Sequence, residues 1–158
     1  MNKLAIGTTA GMVGTLALDI ATYADMAARG RPTSSVPAAV VAILARKAGL
    51  RALGRPQRHK DDRLRNRRSG LGALMGYAVG IGMGAAYGLL RSRARRIPWP
   101  LLGSLLGLCA MVCADAPAVY LKATDLRKWK TADWMSDLIP HCVYGIITAA
   151  CYEAIERA

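Results

Sequence analysis

Asp137 and His141 stand four residues apart within an apolar stretch, with Asp133 four residues before and Tyr144 three after. On a helix that spacing gathers them near one face. A carboxylate beside an imidazole can hold or pass a proton, and His is the side chain that titrates near neutral pH. Asp19, Asp25 and Asp115 are further acids set in apolar runs. An ionised acid at the centre of a bilayer costs about 2.5–3.5 kcal/mol on insertion scales, so such groups should face an interior and find partners. Two readings follow. In one, Asp19, Asp115 and His141 line a vestibule that binds a cation or passes protons; in the other, the acids pair with Arg29, Arg31, Arg68 or Lys122 and close one end of a bundle. A metal site made of His141, Asp137 and cysteines is disfavoured, because no ligand spacing here is diagnostic.

The elements that must carry these residues read as membrane spans. Between residues 70 and 90, Gly72, Gly76, Gly80, Gly84 and Gly88 recur every fourth residue in an apolar run. In water each would cost a helix about 1 kcal/mol against Ala, whereas in lipid the bare face lets a neighbouring helix approach closely. This is a glycine-zipper pattern. A step of four residues turns 400°, so the stripe drifts by about 40° per step and favours right-handed crossings. The other predicted spans are 4–28, 101–122 and 134–155. The first has its own small-residue face in Gly7, Gly11 and Gly14 and could lie against the zipper; in the third, Gly103 and Gly107 should face a neighbour. Pro117, two residues after Asp115, predicts a bend beside that acid. Asp133 is the expected N-cap of the fourth. The first run is longer than the h-region of a signal peptide, carries an acid and lacks a convincing cleavage site, so it reads as a span.

Between the first two spans, Ser35-Val36-Pro37 signals a helix start. Over 36–52, Val36, Val40, Ile43, Leu44 and Leu50 fall near one face, with Arg46, Lys47 and Arg51 toward the other. That fits a short amphipathic helix in the headgroup plane, with those three cations as candidate lipid-binding residues; a partly buried helix capping the bundle fits as well. Residues 54–68 have no apolar period and read as a basic loop. The expected fold is thus all-α: one integral membrane domain over 1–158, a four-helix bundle with one surface helix.

With 22 Lys and Arg against 10 Asp and Glu, the net charge is +12. Nucleic acid or an anionic lipid surface would suit that balance. Long uncharged runs favour the bilayer, and nucleic acid is not an expected partner. Cys109, Cys113, Cys142 and Cys151 all lie in apolar runs and read as small reduced core residues. No nucleophile elbow, phosphate loop or paired-Cys metal motif is present, so neither catalysis nor a cofactor is expected.

An even number of crossings has one consequence for the polar residues. The C-terminal ends of spans one and three share a membrane side with the N-terminal ends of two and four. Asp19, Asp25, Asp115, Asp137 and His141 should therefore lie at one depth on one side, with Arg67, Arg68 and Ser69 completing the ring. The first loop and the connection after the third span are richest in Lys and Arg, which predicts that they are cytoplasmic and both termini outside. Arg91, Arg93, Arg95 and Arg96 then lie on the opposite side, so the signals conflict.

Residues 22–37, 66–77, 114–117 and 137–145, including Ala114-Asp-Ala-Pro117 and Asp137-Leu-Ile-Pro-His-Cys-Val-Tyr-Gly145, resemble a family of small actinobacterial membrane proteins of uncharacterised function. More distantly, the helix order and the acid-Pro then His-aromatic pattern are similar to YagU-type inner-membrane proteins. The resemblance implies a multi-pass protein of the bacterial cytoplasmic membrane, and the YagU type implies termini inside. It assigns no activity and no site residue. The functional expectation is a small transporter, channel or proton-linked membrane component using the Asp/His cluster. The alternatives are a structural or partner-binding membrane subunit, including a homo-oligomer, and a protein that binds anionic lipid.

Overall fold

A computed structural model describes residues 2–56 and 61–158. Among these described residues are six α-helices: α1 (Lys3–Arg29), α2 (Val36–Lys47), α3 (Arg51–Gly54), α4 (Asp62–Arg91), α5 (Trp99–Tyr120) and α6 (Thr131–Arg157). Four of them, α1, α4, α5 and α6, are long and apolar enough to cross a membrane. In each, no more than 33% of the most apolar window is buried inside the protein. The uncovered surface is itself apolar, with Leu16, Ile20, Leu74, Leu101, Val112 and Ile139 all exposed. So much bare apolar area suits lipid rather than water.

Local chemistry fixes the ends of these helices. Asn2 caps α1 by accepting from the Ala5 N–H at 2.7 Å, and Gly30 closes it in the left-handed region at φ 64°. Asp61 caps α4 by accepting from the Leu64 N–H at 3.1 Å. This cap starts the helix at Asp62, so 62–68 are helical and not the loop that the charge run predicts. Leu64 and Arg68, one turn apart, are both buried, and the abundance of Arg between them hides that short stripe from an apolar count. Residues 57–60 of the expected basic loop lie outside the described residues. The expected helix over 36–52 is two helices, because Gly49 takes φ 71° and turns the chain before α3. Asp133 is not the N-cap of α6. It sits in the first turn and accepts from the Lys130 N–H at 2.8 Å.

The contacts set an alternating bundle. α1 packs on α4 and on α6, and α5 packs mainly on α6. Gly7 lies against Gly84 and Gly88, and Gly11 against Gly80 and Gly84, which makes α1 and α4 antiparallel. Gly14 turns to α6, where it meets Thr148 and Tyr144. Gly103 meets Gly145 and Ala149, while Gly107 meets His141, so α5 and α6 are antiparallel too. The α4 glycines divide among neighbours: Gly80, Gly84 and Gly88 stand against α1, Gly72 against Pro37 of α2, and a Cβ at Gly76 would meet nothing within 4 Å. A stripe that rotates about 40° per step cannot keep facing one partner along a whole helix.

Ile6, Ala10, Tyr87, Leu106, Tyr144, Ala149 and Tyr152 form the core. The cysteines are free; Cys109 and Cys113 are exposed rather than in the core as expected, Cys142 is partly buried, and Cys151, also partly buried, packs against the core. α5 spends its α6-facing side on Gly103, Leu106, Gly107 and Ala110, while Cys109 and Cys113 turn toward α4, where Cys113 Sγ lies 4.0 Å from Met83 Sδ.

Candidate functional site

The antiparallel register brings the late part of α1, the early part of α4, the late part of α5 and the early part of α6 to one end of the bundle. Asp19, Asp25, Asp115, Asp137 and His141 are all at that end, but they form three separate groups rather than one ring.

Asp25 belongs to the last turns of α1. Arg29 lies 2.6 Å and Arg31 2.5 Å from its carboxylate. Arg29 also donates to Ser136 Oγ, which ties the end of α1 to the first turns of α6. Asp25 is therefore a structural ion pair, one of the pairings that the sequence allowed. Asp19 accepts from the Tyr77 hydroxyl at 2.6 Å across the α1–α4 seam. Neither Tyr77 nor Ser136 stands out in the sequence, since nothing local marks a tyrosine or serine as the partner of an acid on another helix.

The third group lies between α5 and α6. Asp137 Oδ1 is 3.4 Å from His141 Nδ1, and the same ring nitrogen lies 2.8 Å from the Asp137 carbonyl oxygen. Asp115, arriving from α5, is a neighbour of the Asp137 carboxyl. Asp137 Oδ2 is buried and has no hydrogen-bond partner. The side chains of His141 and Asp137 remain 13% and 24% exposed, so the group is not sealed inside the core. Gly107 makes this meeting possible, because a side chain there would collide with the His141 carbonyl. Pro140 precedes His141 inside α6 and leaves one backbone carbonyl of the previous turn without its usual donor.

Tyr144 stands apart from this group in role. Its hydroxyl donates to the Gly80 carbonyl oxygen at 2.7 Å and is fully buried, which makes it a packing residue. Arg68, expected in the ring, points elsewhere: it donates to the Leu53 carbonyl at 2.9 and 2.6 Å and to the Arg55 carbonyl at 2.6 Å. Arg46, Lys47 and Arg51 are exposed on the α2–α3 hairpin. Among the described residues no three His, Cys, Asp or Glu side chains form a group that could hold a metal ion.

At the opposite end, Arg91 Nε is 2.5 Å from Glu153 Oε1, and Arg95 is 3.6 Å from Glu156. The basic turn after α4 is thus partly bound to the last turns of α6, a pairing that sequence spacing does not reveal. The chain matches no protein-family model, no curated protein and no solved structure.

Proposed function

We propose that this is a proton-linked membrane component in which Asp115, Asp137 and His141 exchange protons with the aqueous phase at one end of a four-helix bundle. One observation carries the reading. Among the described residues, Asp115 and Asp137 are neighbours across α5 and α6 with no Lys or Arg bonded to either, and His141 is the group that touches Asp137. Asp25, by contrast, is held by two arginines. Two neighbouring carboxyls oppose each other's ionisation, so a proton is favoured on one of them, and an adjacent imidazole is a suitable donor or acceptor for it. Ionisable groups within apolar helices tend to mark ion or proton paths.

The reading includes a bacterial cytoplasmic membrane as the location, for which the resemblance to small actinobacterial membrane proteins is the support. It takes the α4 glycines as a zipper that docks α1, supported by the close approach of Gly80, Gly84 and Gly88 to Gly7 and Gly11. Because those glycines are occupied within the chain, a homo-oligomer or membrane partner using the same stripe has less support. The greater number of Lys and Arg at the α2–α3 end favours that end as cytoplasmic.

The test is proton flux in proteoliposomes containing a pH-sensitive dye. Asp115→Asn and His141→Ala should abolish a pH-dependent flux, while Asp25→Asn, which touches only the arginine brace, should leave it. Equal flux in all three variants and wild type rejects the proposal.

A further inference from the structure

The α2–α3 hairpin leans on α4 without closing against it. Between them lies a groove of about 410 Å³, a volume within the range of pockets that hold drug-sized molecules. One wall is Leu44 of α2 with Ala48 and Leu50 just after it; the other is Leu71, Leu74 and Met75 of α4. No charged side chain lines it. Leu44, Leu50, Leu71, Leu74 and Met75 are all left exposed by the protein. An apolar groove on the flank of a span opens to acyl chains and not to water.

Arg68 makes the groove a built feature. Its guanidinium, on a residue only 6% exposed, is bonded to the carbonyls of Leu53 and Arg55. Leu53 is itself part of the groove wall. These bonds fix α3 at the level of Arg68, the turn of α4 just before Leu71, which is the turn nearer the aqueous end. Gly54 lets Arg46 approach at the same level, since a Cβ there would lie 2.7 Å from Arg46 Cα. Arg46 lies against Gly54 with Lys47 next to it, Arg51 opens α3 and Arg67 precedes Arg68, so all four belong to the segments that meet at the Arg68 end of the groove, and all are exposed. None of the four has an acidic partner among the described residues, because the nearby acids are already taken: Asp61 by Arg55 and Asp62 by Arg65.

Four uncompensated cations above an acyl-sized groove are complementary to one amphiphile. We infer that this groove binds an anionic phospholipid of the surrounding bilayer, one acyl chain lying between α2 and α4 and the phosphate held by Arg46, Lys47, Arg51 and Arg67. Arg68 is a positioning residue that holds the α3 wall in place. The inference is independent of the proton-linked reading, which rests on α5 and α6.

The experiment is native mass spectrometry of the detergent-purified protein titrated with phosphatidylglycerol, phosphatidylcholine or free fatty acid of the same chain length. Phosphatidylglycerol should bind about thirtyfold more tightly than phosphatidylcholine, as expected when two cations each contribute about 1 kcal/mol. The double variant Arg51→Gln/Arg67→Gln should lose that preference, and Ala48→Trp, which fills the groove, should weaken both phospholipids. Far-ultraviolet circular dichroism and a single gel-filtration peak verify that each variant is folded. Equal binding of the two phospholipids, fatty acid binding as tightly as phosphatidylglycerol, a preference that survives the double variant, or full affinity in Ala48→Trp would each overturn the inference.

Discussion

The Tyr144 hydroxyl donates to the carbonyl oxygen of Gly80 at 2.7 Å, reaching from α6 to the backbone of α4 beside the α1 seam. Eight residues on, Tyr152 repeats the contact to Gly88 at 3.4 Å. The two bonds run in parallel because α4 and α6 point the same way, with α1 antiparallel to both. Only a glycine-bearing stretch of α4 leaves its carbonyls open to a side chain from another helix. Removing the shorter, fully buried bond in Tyr144→Phe should cost about 1–2 kcal/mol, and removing the longer one in Tyr152→Phe about 0.5 kcal/mol or less. Unfolding by titration with a denaturing detergent, followed by circular dichroism, measures both. Equal losses, or a larger loss at Tyr152, would contradict this geometry.

The α4 glycines should respond to substitution in two ways. A Cβ at Gly84 would lie 2.6 Å from the Gly7 carbonyl oxygen and close to the Gly11 backbone, none of which can rotate away. Gly84→Ala must therefore push α1 off α4, with a loss of about 2 kcal/mol or more from overpacking. At Gly76 there is open space. Gly76→Ala should be neutral or stabilising by up to about 1 kcal/mol, the helix-propensity gain over glycine. Thermal melting in detergent separates the two, and a uniform response along the stripe would show that α4 faces a single partner.

Asp25, Arg29, Arg31 and Ser136 form a brace at the end of α1, separate from the Asp115–Asp137–His141 group. Its bonds are local to the last turn and one contact on α6, so its loss should loosen that end without unfolding the bundle. In Asp25→Asn, hydrogen exchange should speed up over residues 25–31, while amides near Ala10 and Tyr144 in the core keep wild-type protection. Faster exchange throughout would mean that the brace supports the whole fold.

Much of this arrangement was legible in the chain because it depends on local quantities. The length of an apolar run marks a span, glycine spacing marks a close approach, and the number of crossings sets which ends share a side. These suggest a first-helix face of Gly7, Gly11 and Gly14 that could lie on α4, of which Gly7 and Gly11 do and Gly14 turns to α6, and they set Gly103 and Gly107 against a neighbour; the expected ring of polar residues is instead three separate groups. Pairings between distant residues were not legible. Asp19 and Tyr77 lie 58 positions apart, and Arg91 and Glu153 lie 62 apart; no local pattern distinguishes those partners from other tyrosines or acids. The start of α4 is hidden in the sequence because Leu64 and Arg68 bury a face among arginines, and burial of an arginine is invisible until the carbonyls of Leu53 and Arg55 are in place beside it.

Arg91 and Glu153 are the most enclosed ion pair among the described residues, with side chains 9% and 12% exposed and 2.5 Å between Nε and Oε1. Arg91 Nη1 also donates to the Ala94 carbonyl at 2.9 Å and the Ile97 carbonyl at 3.3 Å, so one side chain closes the turn between α4 and α5 and ties it to α6. Arg95, 68% exposed and 3.6 Å from Glu156, makes a looser pair at the same end. Glu153→Gln leaves an enclosed guanidinium without its counter-charge. Its cost should be about 2 kcal/mol, below the ~3–5 kcal/mol of a wholly buried pair because this one sits at an aqueous end. Arg95→Gln should cost about 0–1 kcal/mol and lose even that in high salt. Denaturing-detergent titrations at low and high ionic strength check both, and a salt-sensitive loss at Glu153 would place that pair in open solvent.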